Sequence, residues 1–198
     1  MQFVVFHGSF GNPQENWIPF LKENLVRDEN NILIPQMPVD VWKNIIEKGR
    51  GYTSPTQNVQ NWLQTFEKEI LPNLQKENVV FVGHSIASLF ILHVVNHFNL
   101  SLQKAIFVSP FLSVLPRWEF TTVNGTFYKT DFDFVKTQNL IEKRIAVFSD
   151  NDPYVPQEKF EEFVNLTKSE PILIKNGGHL NSDAGFITFP KLLELCQN

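Results

Sequence analysis

Residues 78–98 read NVVFVGHSIASLFILHVVNHF. The first part, Asn78–Gly83, is a β-branched and aromatic apolar run, short enough for a buried strand. The last part, Ile86–Phe98, is apolar nearly all round, which predicts a buried helix. Between them lies Gly83-His84-Ser85-Ile86-Ala87, the pattern G-x-S-x-G with alanine in the final place. A strand that turns abruptly into a helix lifts a serine hydroxyl above the sheet in a strained conformation. Its neighbours must be small because the turn brings backbones together, and alanine is the next smallest choice after glycine. The helix N-terminus behind Ser85 adds partial positive charge where an oxyanion would form.

The same alternation of strand and helix continues outward in both directions. Strands are expected at Gln2–His7, Asn31–Met37, Lys104–Ser109, Arg144–Ser149 and Ile172–Lys175. Helices are expected around Gln14–Arg27, from Ser54 to about Leu74, over Gln157–Thr167 and over Phe186–Leu195. The helix from Ser54 is suggested by a capping-box S-x-x-Q with Pro55 at the first helical position. Residues 39–53 carry no clear pattern, and 111–143 read as a long aromatic-rich connection. Six strands alternating with helices predict a three-layer α/β sandwich around a parallel sheet, one domain over residues 1–198. Pro35 marks the second strand as an edge, which with right-handed crossovers gives the order 2-1-3-4-5-6. Strands 1 and 3 then flank a switch point, beyond whose carboxyl ends ligands bind.

The polar chemistry falls where that topology puts it. After strand 1 comes His7-Gly8-Ser9-Phe10-Gly11, whose backbone can face Ser85. The N–H of Ser9, with Phe10 the next choice, and the N–H of Ile86 make an expected two-donor oxyanion hole. After strand 5 comes Ser149-Asp150-Asn151-Asp152-Pro153, and after strand 6 Gly177-Gly178-His179. A histidine can take the proton of a serine hydroxyl while a carboxylate fixes its tautomer. Asp150 and Asp152 are equivalent by side-chain type. Asp152 lies further out on the loop, and Pro153 biases it toward an extended conformation directed at the next loop, so it is the expected acid. Phe10 and Trp118 are candidate pocket residues.

The motifs HGSFG, GHSIA, SDNDPYVP and GGHLN together resemble the α/β-hydrolase superfamily. More narrowly, the chain is similar to the small serine hydrolases typified by retinoblastoma-binding protein nine and the bacterial YdeN-type proteins. The resemblance covers nearly the whole chain. It implies a minimal hydrolase fold without a large cap, Ser85 as nucleophile, Asp152 as acid, His179 as base, and action on esters or related acyl compounds without cofactor or metal. The only cysteine sits in Glu194-Leu195-Cys196-Gln197-Asn198, so an L-x-C-x-E pattern is absent and the retinoblastoma protein is not an implied partner.

Composition sets the outer bounds. The 198 residues are 42% hydrophobic and 19% charged, which is globular. A net charge of −4 argues against a basic face for nucleic acid. The opening MQFVVFHG lacks a basic segment followed by a long apolar one, and no stretch is apolar enough to span a bilayer, so a soluble cytoplasmic protein is expected. His93 and His97 stand four apart but lack the H-E-x-x-H glutamate, and no phosphate-binding glycine motif occurs. Nineteen Phe against three Tyr predict a Phe-packed core. Two rival readings share these elements. One is a binding protein that keeps the fold without catalysis, and the other is a flavodoxin-like nucleotide binder of related sheet order.

Overall fold

The computed structural model describes residues 1–27, 30–128 and 131–198. Strand β1 (Gln2–Phe6) leads to helix α1 (Ile18–Arg27) and the short strand β2 (Asn31–Leu33). Helices α2 (Trp42–Lys48) and α3 (Val59–Thr65) precede β3 (Val79–His84), α4 (Ile86–Phe98) and β4 (Leu102–Val108). Two short helices, α5 (Trp118–Val123) and α6 (Phe134–Leu140), lie in the connection to β5 (Ile141–Ser149). The chain closes with α7 (Gln157–Thr167), β6 (Glu170–Ile174) and α8 (Pro190–Gln197).

All six strands are parallel, in the order β2-β1-β3-β4-β5-β6. Alternation along the strands divides two cores. Val4, Phe6, Phe81 and Phe107 face a layer containing α3, α4 and α7, with Trp62, Phe66, Phe90 and Phe163. Phe3, Val5, Val80, Val82 and Val108 face α1 and α8, with Trp17, Leu21, Leu25 and Leu192. The first core is the phenylalanine-rich one. Phe6 meets Phe81 and Phe90 edge-on, each with ring centroids 5.5 Å apart, the arrangement favoured by the ring quadrupole. Among the described residues, no helix is long and apolar enough to cross a membrane.

Several boundaries differ from expectation for identifiable reasons. The segment before α1 is spent in turns: Asn12 Oδ1 accepts the Gln14 N–H at 2.8 Å, and Asn16 has φ 54°. α1 then starts only at Ile18, with Pro19 in its first turn, where a missing N–H is harmless. β2 stops at Leu33, two residues before Pro35. At the expected capping box, Ser54 Oγ does accept the Gln57 N–H at 2.9 Å. The chain nevertheless becomes helical only after Asn58, which caps α3 by accepting from Asn61 N–H. α4 and α7 have the expected ends, and Asn99 at φ 54° stops the former in a left-handed cap.

Candidate active site

Ser85 caps the N-terminus of α4 with φ 57° and ψ −122°, a conformation that costs a non-glycine residue strain. Its N–H is fixed by the Val108 carbonyl at 2.8 Å. The close approach behind the turn falls on Gly83, where a Cβ would lie 2.8 Å from the Ala87 backbone. Ala87 itself is fully buried. Gly8 brings the loop after β1 against this turn: a Cβ there would lie 3.2 Å from Ser85 Cβ.

His179 lies on the loop after β6, 8% exposed. Its Nδ1–H donates to Asp152 Oδ2 at 2.8 Å. The other oxygen of Asp152 accepts the N–H groups of Tyr154 (2.9 Å) and Val155 (3.0 Å), an Asx turn that fixes the carboxylate. Burial pushes the Asp152 carboxyl upward, but the hydrogen bond and charge of His179 and the two backbone N–H groups outweigh it and hold it below the ordinary range. Asp150 faces elsewhere and accepts the Asn176 N–H at 2.7 Å. Asn151 Oδ1 accepts the Gly178 N–H, and Ser149 Oγ the Gly177 N–H, both at 2.8 Å. Tyr154 stands edge-on to the imidazole of His179, with centroids 5.0 Å apart.

Two other histidines are kept out of proton chemistry. His84 Nε2–H donates to the His179 carbonyl at 3.0 Å. Burial, and then His179 beside it, push His84 down to about 3, so it stays neutral. His7 is also pushed down by burial; its Nδ1–H donates to the Gly8 carbonyl at 2.9 Å, and its Nε2 accepts from Met37 N–H at 3.0 Å. It ties the loop after β1 to the segment beyond β2.

Gly8, Ser9, Phe10, Ser85, Tyr154 and His179 line one cleft of about 360 Å³ at the carboxyl end of the sheet. Ser85 Oγ and His179 make no hydrogen bond across it, and catalytic bonds of this kind often tighten only around substrate. The Phe10 N–H is taken by Gln57 Oε1 at 3.1 Å. The N–H groups of Ser9 and Ile86 have no acceptor among the described residues. Leu115 and Phe120 continue the apolar wall, while Glu15, Asn181 and Asp183 lie on the polar side. Trp118, expected at the pocket, is not among its lining; Arg50 lies over its ring, 5.8 Å from the centroid. Phe120 takes the pocket position instead, because residues two apart on α5 point about 200° away from each other. Phe120 belongs to the aromatic stretch of the 111–143 connection, whose rings are candidates for an acyl pocket, whereas nothing in the sequence singles out Gln57 or Asn124 for the site. In sequence Gln57 fits half of a capping box, and no local pattern distinguishes a buried amide from an exposed one. Among the described residues, no group of three His, Cys, Asp or Glu side chains is placed to hold a metal.

The family described as serine hydrolase matches residues 4–198. Among solved structures, the ydeN gene product from B. subtilis superposes with a TM-score of 0.82 at 24% identity, covering 99% of this chain and 96% of its own. A YdeN-like hydrolase from Pectobacterium atrosepticum gives 0.67 at 16% identity, over 100% and 90%. The thioesterase domain from the curacin biosynthetic pathway gives 0.64 at 10% identity, over 100% and 91%. No curated protein matches the chain in sequence.

Proposed function

The chain belongs to the serine hydrolase family, and from that premise we propose that it cleaves carboxylic esters or related acyl compounds through Ser85, His179 and Asp152. The observation that carries this reading is the 2.8 Å bond from His179 to Asp152, made on the same cleft that exposes Ser85 at its strained turn. With Nδ1–H committed to Asp152, the imidazole keeps Nε2 free to accept a proton. Ser85 Oγ attacks the acyl carbon as His179 Nε2 takes its proton. The tetrahedral oxyanion is held by the N–H groups of Ser9 and Ile86. His179 then gives the proton to the leaving group, an acyl-enzyme remains on Ser85, and water repeats the sequence to release the acid.

The acyl chain is assigned to the wall of Phe10, Phe120 and Tyr154. Thioesters are the second substrate class to assay, because the fold neighbours include a thioesterase domain. Residues 1–198 are taken as one catalytic domain. The cytoplasm is the proposed location, a reducing compartment suiting the single free thiol of Cys196.

A fluorophosphonate probe tests the assignment and separates hydrolase from binding protein. It is expected to label Ser85, and Ser85→Ala to abolish labelling. A mass-mapped adduct on another serine would remove Ser85 from its role.

A further inference from the structure

The loop after β1 bends at Phe10, whose φ is 58°. Two buried amides hold the loop on either side of the Ser9–Phe10 peptide. Gln57, with no solvent exposure, accepts the Phe10 N–H at 3.1 Å and the Asp40 N–H at 3.4 Å through Oε1. Its Nε2 donates to Asn124 Oδ1 at 3.1 Å. Asn124, 1% exposed, receives the Ser9 hydroxyl on the same oxygen at 2.7 Å. Both amides are anchored from behind. The Gln57 N–H goes to Ser54 Oγ at 2.9 Å, and the Asn124 N–H to the Phe120 carbonyl at 3.0 Å.

Desolvating a side-chain amide is costly unless its hydrogen bonds are made. Both polar atoms of the Gln57 amide are bonded, and Asn124 is bonded through Oδ1, its buried Nδ2 having no partner among the described residues. This network ends on the two residues that flank one cleft-lining peptide. Rotating that peptide would break the Gln57–Phe10 bond and leave the buried Gln57 Oε1 with only the longer bond from the Asp40 N–H. We propose that Gln57 and Asn124 are positioning residues for the reaction: Gln57 takes up the Phe10 N–H and Asn124 fixes Ser9 through its hydroxyl, so that the Ser9 N–H, on the preceding peptide and without an acceptor among the described residues, is left as the loop's oxyanion donor. The inference rests on the serine hydrolase reading of Ser85 given above.

Gln57→Leu removes the acceptor without adding charge. The measurement is kcat for p-nitrophenyl butyrate, per site titrated with fluorophosphonate. The expected result is a fall of about 10- to 100-fold, below the full loss of an oxyanion donor. KM should stay within about threefold, and the acid limb of the pH profile should not move, because His179 and Asp152 are untouched. The Ki of an alkyl boronic acid, which mimics the tetrahedral adduct, should rise by about the same factor as kcat/KM falls. A merely structural role would lower the melting temperature and the titratable fraction but leave kcat per site within about threefold, and that result overturns the proposal. Ser9→Ala removes one hydroxyl at the cleft and tests the Asn124 arm should Gln57→Leu not fold. A severalfold fall in kcat with unchanged KM supports the proposal, and an unchanged kcat overturns it. If the wild-type protein is not labelled at Ser85, the hydrolase reading fails and this inference with it. Normal labelling with an unaltered kcat in the variants defeats the positioning role alone.

Discussion

On the wall of the cleft that carries His179, the side chains of Ser149, Asp150, Asn151 and Asp152 each hold one of the four residues 176–179. On the wall that carries Ser9, the corresponding contacts join residues 9, 10, 57 and 124, with bonded partners separated by 47 to 115 positions. The first wall follows from the sheet. β5 and β6 are parallel neighbours, with Ser149 beside Ile174, so the loops after them emerge together and short polar side chains reach across. The second wall depends on where two long connections happen to pack. Support on one side is therefore local and shared among several bonds, and on the other it is long-range and carried by a few.

The sharpest division within the shared side is between its two aspartates. Asp152→Asn replaces the acceptor of His179 Nδ1–H with an amide and should lower kcat by up to ~10⁴, the scale on which a triad acid acts. Asp150→Asn keeps an oxygen for the Asn176 N–H and should stay within about fivefold. The reverse pattern would show the acid to be misassigned. The same pair tests linkage. The Asp152 carboxyl is held below its ordinary value, so its stabilisation is fully present above the unfolded value, about 3.9, and is lost as pH falls through the folded one. Urea melts of wild type and Asp152→Asn should therefore differ most above about pH 4 and converge below it. A gap that widens in acid would contradict the assignment.

Ser149→Ala asks whether support on this side is shared. It strands the buried Gly177 N–H, so about 1–2 kcal/mol of stability should be lost. With the other three bonds intact, kcat should fall by less than about threefold. A larger loss of turnover than in Gln57→Leu would erase the contrast between the walls.

The smallest effect concerns the pocket. Phe120→Ala should raise KM for a hexanoyl ester by about fivefold, the scale of a partly buried apolar contact. Trp118→Ala should leave it unchanged, and the opposite result would return the pocket role to Trp118.

What the sequence made readable follows the same division. Apolar runs and the Pro35 edge predicted the strand order, and the contrast between VVFVG and the apolar stretch after it located Ser85. Adjacent strand ends made the loops carrying Asp152 and His179 identifiable together. Asp152 could be preferred over Asp150 because Pro153 acts locally on its neighbour. Helix α2 was not read, since its exposed Trp42 and Ile46 blur the amphipathic pattern. Helices α5 and α6 are only 6 and 7 residues long, too short for periodicity to speak. Gln57 was misread for a physical reason: the Ser54–Gln57 bond of a capping box forms, but the glutamine side chain goes to Phe10 and Asn124 rather than back to Ser54. Trp118 illustrates the same limit, because an aromatic-rich stretch does not say which of its rings faces inward.

The one-to-one pairing of residues 149–152 with 176–179 also constrains how this chain can vary in length. Inserting or deleting a single residue in either loop shifts every partner beyond it, so one event disrupts several contacts and turns His179 away from Asp152. In the span from 111 to 128, the side-chain bonds to neighbouring segments come from Ser113, Asn124 and Thr126 and form no consecutive one-to-one series, and the stretch between the first two supplies Leu115 and Phe120 to the cleft. Loops free of register tolerate added residues at small entropic cost. Length changes that retune the pocket should therefore accumulate between Ser113 and Trp118, ahead of the helix that places Asn124, while the loops after β5 and β6 keep their length and change only by substitution.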